Sequence, residues 1–234
     1  PLEHAADRIA FGKCFNAGQT CVAPDYVLVP RDQRDAFVDA YLGSVRRRYP
    51  RLADNPDYTA VINSRQAGRL RDWLEDARAR GVEVRQHAPE GEVVPPGLEL
   101  IPPTVLLDPP EEATVMREEI FGPLLPVKSY DNLNEAIDYI LRKDKPLAFY
   151  AFDRDTDRVE RMLDRVSAGM ACVNDVLVQF GQTAFPIGGV GASGMGAYHG
   201  HTGFLAFSKA MPVMYQARFN GMKLFDAPYG NFTR

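Results

Sequence analysis

Leu2, Ala5, Ala6, Ile9, Ala10 and Cys14 follow one another at spacings of three and four, the period of one helix face. They predict a helix that runs toward Phe15 and is stopped by Asn16 and Gly18. Tyr26, Val27, Leu28 and Val29 then form a β-prone run closed by Pro30. Ala36, Phe37, Ala40, Tyr41, Leu42 and Val45 mark a helix over residues 31–48, ended by Tyr49 and Pro50. Leu70, Trp73, Leu74 and Ala77 mark another over 64–80, capped by Gly81. Alternation over 82–86 reads as a strand, and 98–101 with 104–107 as a strand pair or one interrupted strand. Beyond these, strand 124–130, helix 134–142, strand 147–152, helix 156–166 and strand 170–173 succeed one another. Strands separated by helices of this length predict an α/β fold, a mostly parallel sheet flanked by helices. Right-handed crossovers then gather the carboxyl ends of the strands, and any site, on one edge. Residues 211–219 are β-prone with polar interruptions, which predicts a main domain over 1–206 and a carboxyl-terminal tail over 207–234 that packs on other polypeptide.

A chain of 234 residues, 45% hydrophobic and 25% charged, is long enough to bury a real core. Its 27 basic and 31 acidic residues give a net charge of −4, which argues against nucleic acid or an anionic membrane as partner. No run approaches the roughly 18 apolar residues of a membrane span. Arg46, Arg47 and Arg48 form a basic triplet, but cations at a helix carboxyl end are favoured by the macrodipole and need no phosphate. Three cysteines, an odd count without framework spacing, predict reduced thiols in a cytoplasmic setting. Cys14, on the first helix, and Cys172, in a central strand among apolar neighbours, read as core.

Cys21 differs from both. It falls in the tight connection between the first helix and the first strand, where a turn can expose sulfur and aim backbone N–H groups at a developing oxyanion. The alternative is that it packs as a small hydrophobe, as free cysteines usually do. Glu118 and Glu119, followed by Ile-Phe121-Gly-Pro, admit a surface turn or a metal site, although no histidine accompanies them. Gly189-x-Gly191-x-x-Gly194 formally satisfies a dinucleotide fingerprint, yet Pro186 precedes it, Gly196, Gly200 and Gly203 follow closely, and no acidic residue lies about 20 positions on. These glycines instead predict a loop held close to other backbone. His199 and His201 lack a third ligand for a metal, so none is assigned.

The string Asn16-Ala-Gly-Gln-Thr-Cys21-Val-Ala-Pro-Asp-Tyr26 closely resembles the nucleophile segment of the aldehyde dehydrogenases, most of all their class 3 and coniferyl aldehyde branch. Glu119-Ile-Phe121-Gly-Pro matches a second motif of that family, the stretch from Pro186 to His199 a third, and Phe204-x-x-Phe207-Ser208 its ending. The resemblance covers nearly the whole chain. It implies that Cys21 attacks an aldehyde, that Glu119 accepts hydrogen bonds from the nicotinamide ribose of NAD or NADP, and that Phe121 walls the nicotinamide. It places Phe15 on the substrate tunnel, where Phe180, Phe185 and Ile187 favour an apolar or aromatic, coniferyl-type aldehyde. The family's water-activating glutamate, its oxyanion-binding asparagine and its cofactor domain lie upstream of Pro1. The chain is therefore expected to be a fragment, inactive without that amino-terminal half and paired as a homodimer in the full enzyme. Two rival readings remain at this point: a non-catalytic oligomerisation module, and a cysteine acyl-transfer enzyme with His199 or His201 as base.

Overall fold

The structure, a computed structural model, describes residues 2–95 and 97–229. In chain order the main elements are α1 (Leu2–Cys14), β1 (Val27–Pro30), α2 (Arg34–Arg48), α3 (Ser64–Ala79), β2 (Glu83–Gln86), β3 (Thr104–Leu107), β4 (Leu124–Tyr130), α4 (Leu133–Arg142), β5 (Ala148–Ala151), α5 (Thr156–Arg165), β6 (Met170–Val173) and α6 (Gly200–Ala206). Short 3₁₀ turns punctuate them, among them Phe15–Gly18 after α1 and Arg31–Gln33 before α2. The fold is α/β with a mainly parallel sheet flanked by helices.

Four strands pair in the order β1-β4-β3-β2, with β1 and β3 parallel to β4 and β2 antiparallel to β3. β5 and β6 form a separate parallel pair. Side chains alternate between two faces along each strand. Val29, Val105, Leu107, Leu125 and Val127 point to α1 and α2, where they form one core with Ile9, Phe37, Tyr41 and Val45. Leu106 and Leu124 face the other way, onto Leu70 and Leu74 of α3. Phe149 and Ala151 pack on α4 and α5 through Ile137, Val159 and Met162. Side-chain caps set the helix starts: Asn63 accepts from the Gln66 amide (3.0 Å), Asn132 from that of Glu135 (3.1 Å) and Asp155 from that of Arg158 (3.1 Å), each worth about 1 kcal/mol. Gly81 ends α3 at φ 77°, a conformation that favours glycine, and the Val82 amide closes back on the Ala77 carbonyl at 3.1 Å.

Four expectations change. Residues 98–101 are not a strand: the Glu99 carbonyl accepts from the Val61 amide at 2.8 Å, and Pro102 and Pro103 interrupt the approach to β3. Residues 211–219 form no strand and are exposed, since β-prone alternation without a sheet edge to join has no hydrogen-bond partner. Cys172 is half-buried rather than core, because among the described residues β6 pairs only with β5 and leaves its far edge uncovered. The arginine triplet does more than answer the helix dipole: Arg48 grips Asp7 of α1 with both nitrogens at 2.8 Å, holding that carboxyl well below its usual range.

Candidate active site

The chain leaves α1 abruptly. Asn16 and Ala17 both take left-handed backbone angles (φ 50° and 51°), which side chains rarely tolerate, and Gly18 continues at φ 72°. Such a conformation persists only when surroundings over-determine it, and here they do. The Gln19 side chain donates to the carbonyls of Asn16 (3.0 Å) and Ala60 (3.2 Å) and accepts from the Ile62 amide (2.9 Å). Gly18 lies so close to Gly122 that a Cβ there would stand 2.3 Å from the Gly122 carbonyl oxygen. On the far side of Cys21, the Tyr150 hydroxyl donates to the Val22 carbonyl (2.7 Å) and accepts from the Leu177 amide and the Gln179 side chain. Asp25 accepts from the Ile120 amide at 3.0 Å.

These ties bring two of the sequence motifs together: the Cys21 turn and the Glu119–Gly122 turn are in direct backbone contact. Cys21 is exposed, and among the described residues the amides of Thr20, Cys21 and Val22 donate to no acceptor. An accessible sulfur beside free N–H groups is what attack on a carbonyl needs. Cys14 is the opposite, buried and with its thiol pushed up to about 12 by burial. Burial raises Cys172 as well.

Glu119 reaches solvent, and its carboxylate makes no hydrogen bond or ion pair among the described residues. Packing around that carboxyl and the negative neighbour Asp25 push it upward from its ordinary value, with Arg69 and Lys13 pulling the other way. Arg69 anchors the turn itself, donating to the carbonyls of Glu119 (3.3 Å) and Ile120 (2.6 Å) while its guanidinium lies 4.2 Å from the Trp73 ring centre. Phe121, at φ 46°, is 41% exposed and presents its ring to solvent. A free carboxylate two positions from an exposed aromatic ring can accept hydrogen bonds and offer a flat apolar face. Lys13, which the sequence pattern hid on the buried face of α1, is 1% exposed; burial pulls its ammonium down to about 8 against the charges of Asp25 and Glu119.

Phe15 is half exposed and tilts against Phe11 at 6.0 Å between ring centres. Phe180 follows Gln179, whose side chain shares the Tyr150 hydroxyl with the loop after Cys21; Phe180 and Phe185 are both exposed. Ile187 sits beneath this surface at 3% exposure, bridged to Tyr198 by two backbone hydrogen bonds of 2.9 Å. The glycine loop is held against other backbone, as its spacing suggested: a Cβ on Gly189 would meet the Ser193 carbonyl oxygen at 2.0 Å. No group of three or more His, Cys, Asp or Glu among the described residues is placed to hold a metal ion.

The profile of the aldehyde dehydrogenase family matches residues 1–213. The chain belongs to the aldehyde dehydrogenase family. It is 50% identical over 232 residues to the probable coniferyl aldehyde dehydrogenase of Pseudomonas aeruginosa, a match that spans 98% of this chain and 47% of that protein. Among solved structures, the substrate-bound state of AldH from Staphylococcus aureus superposes with a TM-score of 0.81 at 34% identity, over 95% of this chain and 49% of that one. NADP-dependent glyceraldehyde-3-phosphate dehydrogenase from Bacillus halodurans C-125, complexed with NADP, gives a TM-score of 0.78 at 27% identity, over 89% of this chain and 42% of that one. The aldehyde dehydrogenase chain described here thus spans about half the length of the relatives it matches. No helix among its described residues is long and apolar enough to cross a membrane.

Proposed function

We propose that this chain is the catalytic portion of an NAD(P)-dependent aldehyde dehydrogenase that oxidises an apolar or aromatic, coniferyl-type aldehyde to the acid, with Cys21 as nucleophile. The observation that supports this reading is the contact of the segment around Cys21 with the Glu119–Gly122 turn, Gly18 against Gly122 and Asp25 on the Ile120 amide, together with an accessible Cys21. The coniferyl relative at 50% identity supports the substrate class.

In this mechanism the Cys21 thiolate bonds to the aldehyde carbon, and the resulting oxyanion takes hydrogen bonds from the free amides of the turn. A nicotinamide cofactor, when bound, would supply the hydride acceptor; Glu119 would accept hydrogen bonds from its ribose hydroxyls and Phe121 would offer it an apolar wall. With that acceptor bound, transfer of hydride from the adduct's carbon to it would leave a thioester on Cys21, and water would release the acid and restore the thiol. Phe15, Phe180 and Phe185 line the approach, with Ile187 as backing beneath them. The base that activates water and the phosphate-binding surface come from the other half of the enzyme, and the exposed tail over 207–229 packs there or on a second subunit of a cytoplasmic dimer. Supplying this chain with the portion of the P. aeruginosa relative that it does not cover should give reduction of NAD or NADP on adding coniferyl aldehyde, whereas the 234 residues alone should give none. Turnover by the chain alone, or none by the associated pair, contradicts the proposal.

A further inference from the structure

Tyr150 stands on β5, outside the Cys21 turn and outside the loop that carries Phe180, yet its hydroxyl holds both. A phenol has one hydrogen to donate and two lone pairs with which to accept, and all three are used here. The hydrogen goes to the Val22 carbonyl (2.7 Å), and the lone pairs receive the Leu177 amide (3.3 Å) and Nε2 of Gln179 (3.0 Å). Burial pushes the phenol up from its ordinary value, so the hydroxyl keeps the hydrogen that it donates. On one side, Cys21 and Val22 are the central residues of a turn closed by the Ala23 amide on the Thr20 carbonyl at 3.1 Å. On the other, Leu177 is held in a left-handed conformation (φ 66°), and its carbonyl accepts from the Phe180 amide at 3.0 Å. Val22 and Gln179 are 4% and 5% exposed, which leaves little room for water to take the place of the hydroxyl. Oε1 of Gln179 has no hydrogen-bond partner, so the bond to Tyr150 is the only one its side chain makes among the described residues.

We propose that Tyr150 is a positioning residue that sets the Cys21 turn against the Phe180 loop, and that Gln179 carries this setting into selectivity for aromatic substrates. The inference rests on the reading of Cys21 as nucleophile. Attack on a carbonyl needs the sulfur within a narrow range of distance and angle, and a displacement of about 1 Å can cost roughly a hundredfold in rate. The Val22 carbonyl is the handle on that geometry. Pinned by the hydroxyl at Val22 and closed by the Ala23–Thr20 bond, the turn has little freedom left to rotate the peptides that flank the thiol. The Gln179 bond does the same for the other wall, because Phe180 follows directly on the residue that the hydroxyl holds. The two bonds therefore divide the work: the one to Val22 governs the rate at the sulfur, and the one from Gln179 governs how well an aromatic group is met beside it.

The test uses the enzyme completed with its other half, with rates expressed per Cys21 titrated by iodoacetamide. Tyr150→Phe keeps the ring and removes the hydroxyl. Its kcat per titrated thiol should fall roughly ten- to a hundredfold, with the KM for NAD or NADP within about twofold of the parent. A purely structural role would instead lower the number of titratable thiols and leave the rate of each unchanged. Gln179→Met keeps the length of the side chain and loses the bond to the hydroxyl. It should slow labelling of Cys21 by the aromatic N-phenyliodoacetamide roughly fivefold, the worth of one hydrogen bond, and leave labelling by iodoacetamide within about twofold. Because that bond passes through the hydroxyl, adding Gln179→Met to Tyr150→Phe should change neither kcat nor the labelling rates further. Labelling needs no turnover, so it tests the positioning even where Cys21→Ala retains activity and the nucleophile reading fails. It also decides the matter in Gln179→Met alone should Tyr150→Phe not assemble. Parental kcat per titrated thiol in Tyr150→Phe, additive effects in the double variant, or an unchanged aromatic labelling rate in Gln179→Met overturns the proposal.

Discussion

Cys14 and Cys21 stand seven positions apart and have opposite fates. Cys14 closes α1 with its sulfur in the core beside Tyr41, where burial makes ionisation costly. Cys21 is lifted out of that core by two consecutive left-handed residues and left accessible in a turn that other elements hold from both sides. The difference is not in the flanking residues, since each cysteine sits between one polar and one apolar neighbour, Lys13 and Phe15 for Cys14, Thr20 and Val22 for Cys21. It is that the backbone around Cys21 is fixed by contacts made for no packing gain, the Gln19 bonds and the Tyr150 hydroxyl among them. Strain retained at an exposed thiol marks a site; a relaxed helix end at a buried thiol marks filler.

The comparison breaks most visibly in turnover. In the enzyme completed with its other half, Cys21→Ala should lower kcat/KM by about 10⁴-fold or more, as loss of a covalent nucleophile does, while Cys14→Ala should leave it within a few-fold. Steady-state rates of the two variants decide this, and activity surviving in Cys21→Ala contradicts the assignment.

The second effect is in stability against pH. Cys14 keeps its proton in the folded chain up to about 12 but loses it near 9 when unfolded, so between those values the folded state binds more protons. Stability must then fall as pH rises through that window, by about 4 kcal/mol at most for this group. Cys14→Ala should start about 1 kcal/mol less stable from its lost packing and overtake the parent as pH climbs from 9 toward 12. Denaturant midpoints of the two chains measured across that range test it; parallel curves would contradict it.

Much of this arrangement was legible in the sequence. The period of Leu2 to Cys14, the β-prone run before Pro30 and the alternation of strands and helices from residue 124 are local signals, and the elements lie within a residue or two of where those signals place them. What failed was non-local. Residues 98–101 look like a strand until the Val61 amide claims the Glu99 carbonyl, and Cys172 looks like core until β6 turns out to have one neighbour. The Cys21 turn itself was readable from its motif, but not what braces it, because Gln19 reaches Ala60 and Tyr150 reaches Val22 across stretches no local pattern spans. Lys13 was missed for a plain reason: a lysine on a helix carries no mark that its ammonium is buried near Asp25 and Glu119.

A smaller effect sharpens the division of labour beside Cys21. Glu119→Gln removes a charged acceptor worth about 1.5–3 kcal/mol in hydrogen bonds, which should raise the KM for NAD or NADP by about ten- to a hundredfold. Labelling of Cys21 should be untouched, because the two groups share a contact between turns and not a hydrogen bond. Cofactor kinetics unchanged in this variant would remove Glu119 from the site.

The most direct measurement is competition among the three thiols for a limiting amount of iodoacetamide, read by peptide mapping of the completed enzyme. Accessibility and free amides around Cys21, against the buried Cys14 and the half-buried Cys172, predict that Cys21 is alkylated first and that its labelling and the loss of aldehyde oxidation proceed together. Alkylation of Cys14 or Cys172 ahead of Cys21, or full activity after Cys21 is modified, would contradict the account.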